Sequence, residues 1–117
     1  MQRREWLVRV EDILAAIQKI SRYTQGMDFG TFFADEKTVD AVLSNVIVIG
    51  EAANHIPEEI RQKYPEAPWS EMTGIRNVIV HEYFGVSLKI LWETVSSDLP
   101  PLVTVLQAIL VKEKAQE

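Results

Sequence analysis

Trp6, Val10, Ile13, Ile17 and Ile20 step along the chain by four, three, four and three residues, and Leu7 and Leu14 widen the series. That spacing lays an apolar band along one face of an α-helix and does not suit a strand, whose side chains alternate faces at every residue. The band predicts a helix from about Arg4 to Gln25, stopped near Gly26. No segment of the chain sustains a period-2 alternation, and five glycines and five prolines punctuate the remainder into further helical stretches.

The first break, residues 28–34 (DFGTFFA), reads as a short turn or helix that plugs Phe29, Phe32 and Phe33 into the core. A helix is expected from Asp35 or Glu36 to about His55. Val39, Val42, Leu43, Val46, Ile47, Ile49 and Gly50 make it apolar on more than one face, as the central helix of a bundle must be. Pro57 permits a short helix over Pro57–Lys63, because a first turn tolerates proline. Pro65 and Pro68 break the chain again before a helix from about Trp69 to Phe84, which Gly85 ends. A last segment from Ser87 to about Glu113 carries a long apolar side and should kink at Pro100–Pro101. The expected architecture is an all-α, up-and-down bundle of four to five helices, one domain over residues 1–117.

The 47% apolar content and the length of 117 residues suit a globular domain with its own core. With no cysteine in the chain, disulfide scaffolds, cysteine zinc sites and thiol nucleophiles drop out. The longest nearly apolar run, Leu102–Val111, is about half the roughly 20 residues a bilayer span needs, and the N-terminus lacks a signal-peptide core. A cytoplasmic protein with no membrane association is expected. The net charge of −5 argues against a dedicated nucleic-acid binder, but it is unevenly spread. Residues 1–25 carry +2, from Arg3, Arg4, Arg9, Lys19 and Arg22 against Glu5, Glu11 and Asp12. Any contact with a polyanion must be local.

Few residues can carry chemistry. His55 and His81 are the only histidines, at no metal-binding spacing, so neither a metal nor a cofactor is expected. No phosphate-binding glycine loop and no serine nucleophile elbow occurs. What remains is the run Arg76, Asn77, Val78, Ile79, Val80, His81, Glu82, Tyr83. On a helix, Arg76 and Tyr83 align to within about 20°, while Arg76 and His81 point about 140° apart over about 7.5 Å of rise. Asn77 and His81 are i,i+4 neighbours. Arg76 and His81 converge only through the length of arginine, a bend in the helix or a facing second subunit. Read without further context, the same residues also describe an amphipathic helix with a satisfied histidine.

The pattern Arg76-x4-His81-x-Tyr83 resembles the RX4HXY signature of the HepT toxins, the small-protein branch of the HEPN superfamily. The flanks agree: Gly50-Glu51-Ala52, Pro68-Trp69, Gly74-x-Arg76-Asn77, then Phe84, Trp92 and Leu99-Pro100. The resemblance therefore spans most of the chain. It implies a HEPN-type helical bundle, a homodimer and a metal-independent endoribonuclease, the toxin of a toxin–antitoxin pair. It also implies a partner, an MntA-like nucleotidyltransferase antitoxin that silences the toxin by adenylylating the signature tyrosine. Carried over, Arg76 and His81 are catalytic, Asn77 is supporting and Tyr83 is the modified residue. Glu51, one turn before His55 on the third helix, is a further supporting candidate, and both could line the cleft.

The chemistry agrees with that assignment. Cutting RNA without a metal requires a proton taken from the 2′-hydroxyl and one given to the leaving 5′-oxygen. Histidine, with an ordinary pKa of about 6.5, suits either transfer, and arginine offers a charged fork to the phosphorane oxygens. RNA binding would rest on Arg76 of each subunit, helped by Arg3, Arg4 or Arg9. Two other classes compete: a non-catalytic HEPN module that assists a nucleotidyltransferase, and a purely structural helical dimer.

Overall fold

The computed structural model describes residues 3–81 and 87–116, and side chains other than those of residues 3, 4 and 76–81. The described residues form α1 (Arg3–Tyr23), α2 (Phe29–Ala34), α3 (Glu36–Asn54), α4 (Glu58–Lys63), α5 (Trp69–His81), α6 (Leu88–Glu93) and α7 (Pro100–Ala115), with a π-helical turn at Thr94–Asp98. No strand occurs among them. The expected all-α architecture is borne out, with three short helices added to four long ones.

α1 buries Trp6, Val10, Ile13, Ile17 and Ile20 as its periodicity requires, with Leu7 and Ala16 beside them. Glu5 in its first turn and Arg22 in its last both complement the helix dipole. Gly26, at φ +76°, takes the left-handed conformation that ends the segment, and Met27 N–H closes the turn onto Thr24 O at 3.0 Å.

α2 and α3 are started by side chains. Asp28 accepts from Thr31 N–H at 2.8 Å while Thr31 Oγ1 accepts from Asp28 N–H at 2.9 Å, a reciprocal capping box. Asp35 does the same service for α3, accepting from Thr38 N–H at 3.2 Å and from Thr38 Oγ1 at 2.9 Å. These bonds hold both carboxyls below the ordinary carboxylate range, chiefly through the Thr31 backbone N–H at Asp28 and the Thr38 hydroxyl at Asp35.

Only one of the three phenylalanines near α2 fills the core. Phe32 is fully buried against Trp92, ring centroids 5.1 Å apart, whereas Phe33 is 59% exposed and Phe29 half-buried. A helix of six residues presents a single inward position. Phe29 and Phe33, i,i+4 neighbours, therefore pack on each other instead, at 5.8 Å. Pro57 likewise sits just outside α4, as its extended N-cap residue (φ −61°, ψ 148°), rather than within the first turn.

The last segment bends where its prolines predict. Leu99 N–H reaches Thr94 O at 3.0 Å, an i to i−5 bond, and the axes before and after Pro100 differ by 48°. Pro100 and Pro101 supply no N–H, and their rings crowd the preceding turn, which opens to a π turn. No single helix among the described residues is long and apolar enough to cross a membrane.

Side-chain contacts fix the helix directions. Lys114 at the end of α7 lies 3.9 Å from Glu11 in the first half of α1. Glu113 on α7 is buried and meets Lys63 Nζ at 2.8 Å and the Tyr64 hydroxyl, both at the end of α4, which Arg61 ties to the end of α3. Trp69 Nε1, at the start of α5, donates to Tyr64 O at 2.9 Å. The end of α3, the start of α5 and the end of α7 thus gather beside the first half of α1. α3 and α7 run antiparallel to α1, α5 runs parallel to it, and the bundle is up-and-down.

Candidate active site on α5

The register of α5 against α3 is set by Arg61. Its Nε donates to Ile56 O at 3.1 Å and its Nη2 to Ala53 O at 2.7 Å, so the guanidinium takes up carbonyls at the C-terminal end of α3. The same Nη2 lies 3.5 Å from Thr73 Oγ1 on α5. Thr73 is therefore level with Ala53, and the two helices run in opposite directions from there. At about 1.5 Å per residue, Arg76 lies at the level of Gly50–Glu51 on α3, and His81 at the level of Asn45. Gly50 and Ala53 are both buried, and their small size permits close packing of the helices.

The structure thus carries Arg76, Asn77 and His81 on the last two turns of α5. Their side chains lie outside the described residues, as does all of Tyr83. Glu51 is half-buried on α3 at the height of Arg76. His55 is elsewhere: it caps α3, is exposed, and sits about 15 Å along the helix axis from the level of His81. Its Nδ1 lies 2.8 Å from Glu51 O, and because a carbonyl only accepts, Nδ1 carries the proton. Of the two candidates on α3, Glu51 stands at the height of Arg76, and His55 lies farther from the level of His81. Among the described residues no three His, Asp or Glu side chains come together as a metal-binding group.

Two features had no sequence signal strong enough to single them out. Arg61 lies in a six-residue helix between proline breaks, where nothing in the spacing marks it as the tie between three helices. The second is a groove of about 790 Å³ between the C-terminal half of α1 and the bent segment around the π turn. Its walls come from residues more than 60 positions apart, which no local pattern connects.

The comparisons with known proteins bear on the same stretch of chain. The family model described as Ribonuclease HepT-like matches residues 13–109, which takes in α5 and most of the bundle. The "Probable ribonuclease HepT" of Thermococcus cleftensis is 42% identical over 93 residues, covering 80% of this chain and 84% of that protein. A protein of Caldanaerobacter subterraneus subsp. tengcongensis, named as a candidate RNase, is 36% identical over 105 residues, 90% of this chain and 94% of that one. A Methanocaldococcus jannaschii protein with the same description is 33% identical over 102 residues, 87% and 94% of the two chains. No solved structure matches. Matched by the family model over residues 13–109 and by these relatives over 80–90% of its length, the chain belongs to the HepT-like ribonuclease family of the HEPN superfamily.

Proposed function

We propose that this protein is a metal-independent endoribonuclease, the toxin of a toxin–antitoxin pair, with Arg76 and His81 as its catalytic residues. The observation that carries the reading is the family match over residues 13–109, within which Arg76 and His81 share one helix held in register on α3. In this reading one His81 imidazole takes the proton of the 2′-hydroxyl. The 2′-oxygen attacks phosphorus, and the 5′-oxygen leaves with a proton from an imidazolium, giving a 2′,3′-cyclic phosphate and a 5′-hydroxyl. Arg76 holds the phosphorane oxygens as their charge develops. Asn77, next to Arg76, and Glu51, at its height on α3, support the arginine and its pocket.

A single histidine cannot act as base and acid in one step. Two copies of the chain related by a two-fold axis supply both, each His81 taking one role in a shared cleft. Silencing follows from modification: an MntA-like nucleotidyltransferase joins the adenylate of ATP to the Tyr83 hydroxyl and releases pyrophosphate. The added bulk and negative charge then block and repel RNA.

Cleavage of RNA by the purified protein in EDTA, beside His81→Ala, tests the reading. Activity in the wild type alone, leaving cyclic-phosphate ends, is the expected result. Equal activity in both proteins, or silence in both with Tyr83 unmodified by mass, would overturn it.

A further inference from the structure

The groove beside α1 has a chemistry that the motif on α5 does not use. Its floor is apolar, formed by Ile17, Ile20, Val95 and Leu99, with the half-buried indole of Trp92 at one side resting on Phe32. Its rim is polar, and among the described residues Arg22 is the one charged residue that lines it. From Ile13 to Met27 the chain has no carboxylate, and its two charges are Lys19 and Arg22, both exposed. In a protein of net charge −5 the α1 side of the groove is thus locally cationic beside an apolar and aromatic floor, while Glu93 and Asp98 of the bent segment are exposed outside its lining. The volume, about 790 Å³, falls within the range of roughly 300–1,000 Å³ of small-molecule sites.

Position completes the argument. α5 starts at the end of the bundle where α3 and α7 finish and runs toward the C-terminal end of α1. His81, its last residue, therefore lies in the same half of the bundle as the groove. An RNA strand cut at the motif has neighbouring nucleotides to place, and each offers an aromatic face and a phosphate.

We propose that the groove between α1 and the bent α6–α7 segment binds a nucleotide of the RNA substrate flanking the cleaved bond. The base lies on the apolar floor beside Trp92, and its phosphate pairs with Arg22, assisted by Lys19. This inference rests on the ribonuclease reading. The occupant is a single-stranded nucleotide because aromatic stacking with a basic rim is the sequence-tolerant way such strands are held.

The test uses the full chain and a short single-stranded RNA. His81→Ala protein, alone and with Arg22→Glu or Trp92→Leu added, is titrated with the fluorescently labelled RNA. Cleavage kinetics are then compared between wild type, Arg22→Glu, Arg22→Lys and Trp92→Leu. Expected are a loss of affinity of about tenfold or more for Arg22→Glu and Trp92→Leu, carried by KM rather than kcat. Arg22→Lys should largely rescue, and loss of one phosphate contact should reduce the salt slope by about 0.7. Arg22 and Lys19 are exposed, so their variants fold; Trp92→Leu is read only alongside its circular dichroism. Active protein whose affinity and KM are untouched by Arg22→Glu would overturn the groove assignment and leave the ribonuclease reading standing. Unchanged RNA affinity in Arg22→Glu, with an acidic amphipathic peptide bound by the wild type and not by Arg22→Glu, would overturn the assignment in favour of a protein partner. A wild type that neither binds nor cuts RNA would remove both readings together.

Discussion

Arg61 Nη2 donates to the carbonyl oxygen of Ala53 at 2.7 Å, and through it a six-residue helix holds the end of α3. The guanidinium also reaches Ile56 O and Thr73 Oγ1, so α3, α4 and α5 meet at one side chain. Arg61→Met, which keeps the aliphatic stem, should cost about 1.5–3 kcal/mol in urea unfolding through the loss of charge-assisted bonds. Because the same contact sets the height of Arg76 against Glu51, RNA cleavage at saturating substrate should fall as well. Unchanged stability in Arg61→Met would show that the tie is dispensable.

The two neighbouring phenylalanines of α2 should differ sharply. Phe32→Ala empties a fully buried site and should destabilise the fold by about 3–5 kcal/mol. Phe33→Ala removes a side chain that is 59% exposed, and a change within about 1 kcal/mol is expected. Thermal melts of the two variants decide the matter, and equal losses would contradict the burial difference.

Glu113 is buried on α7 and meets Lys63 at 2.8 Å together with the Tyr64 hydroxyl. Tyr64→Phe removes a donor from a buried carboxylate while keeping the ring over which Lys63 and Lys112 both sit at 5.5 Å. A cost of about 1–3 kcal/mol is expected, and the double variant Tyr64→Phe with Glu113→Leu should recover part of it. A double variant that loses the sum of the two single effects would show that the residues act independently.

Acid should loosen the start of α2 and α3. Asp28 and Asp35 are depressed below the ordinary value of 3.8 by bonds to Thr31 and Thr38. A depressed folded pKa gives stability that is fully present above the unfolded value and is lost as pH falls through the folded one. The melting temperature should therefore drop as pH is lowered from about 5 toward 2. Asn accepts a hydrogen bond at a helix start without titrating, so Asp28→Asn with Asp35→Asn should flatten that dependence. An unaltered acid limb in the double variant would assign the loss to other carboxyls.

Tyr83 has a prediction of its own. If it carries the adenylate, Tyr83→Phe should retain RNA cleavage within a few-fold and resist silencing by a cognate nucleotidyltransferase and ATP. Intact-mass analysis after incubation decides it. An added adenylate on the Tyr83→Phe protein would move the modification to another residue.

The long helices were legible from their periodicity: Trp6 to Ile20 bury one stripe of α1, and Val39 to Ala53 bury the broader surface expected of a helix packed on both α1 and α5. The bend at Pro100–Pro101 was legible for a chemical reason, the missing N–H groups. What the pattern could not supply was direction for single side chains in short elements. Phe29, Phe32 and Phe33 are equally apolar, and the contact that takes Phe32 inward is with Trp92, sixty residues farther along the chain. The motif on α5 was readable as a string, yet which residue of α3 stands at its height was not, since spacing alone places neither Glu51 nor His55 against α5. Separating them required the register set by Arg61, a contact eight residues from Ala53 and twelve from Thr73.

The π turn at Thr94–Asp98 makes the length of this chain a quantity with slack in it. Leu91, Val95 and Leu99 are all buried, at steps of four and four, a spacing that would drift by about 80° around an ordinary helix. The widened turn absorbs that drift, so that Leu102, Leu106 and Ile109 still meet the core. The segment therefore behaves as a helix holding one surplus residue. Loss of a single residue between Val95 and Leu99 would restore a regular three-and-four rhythm, whereas one more residue there would rotate all of α7 out of phase. Length variation among relatives should accordingly fall on the side of deletion at this turn.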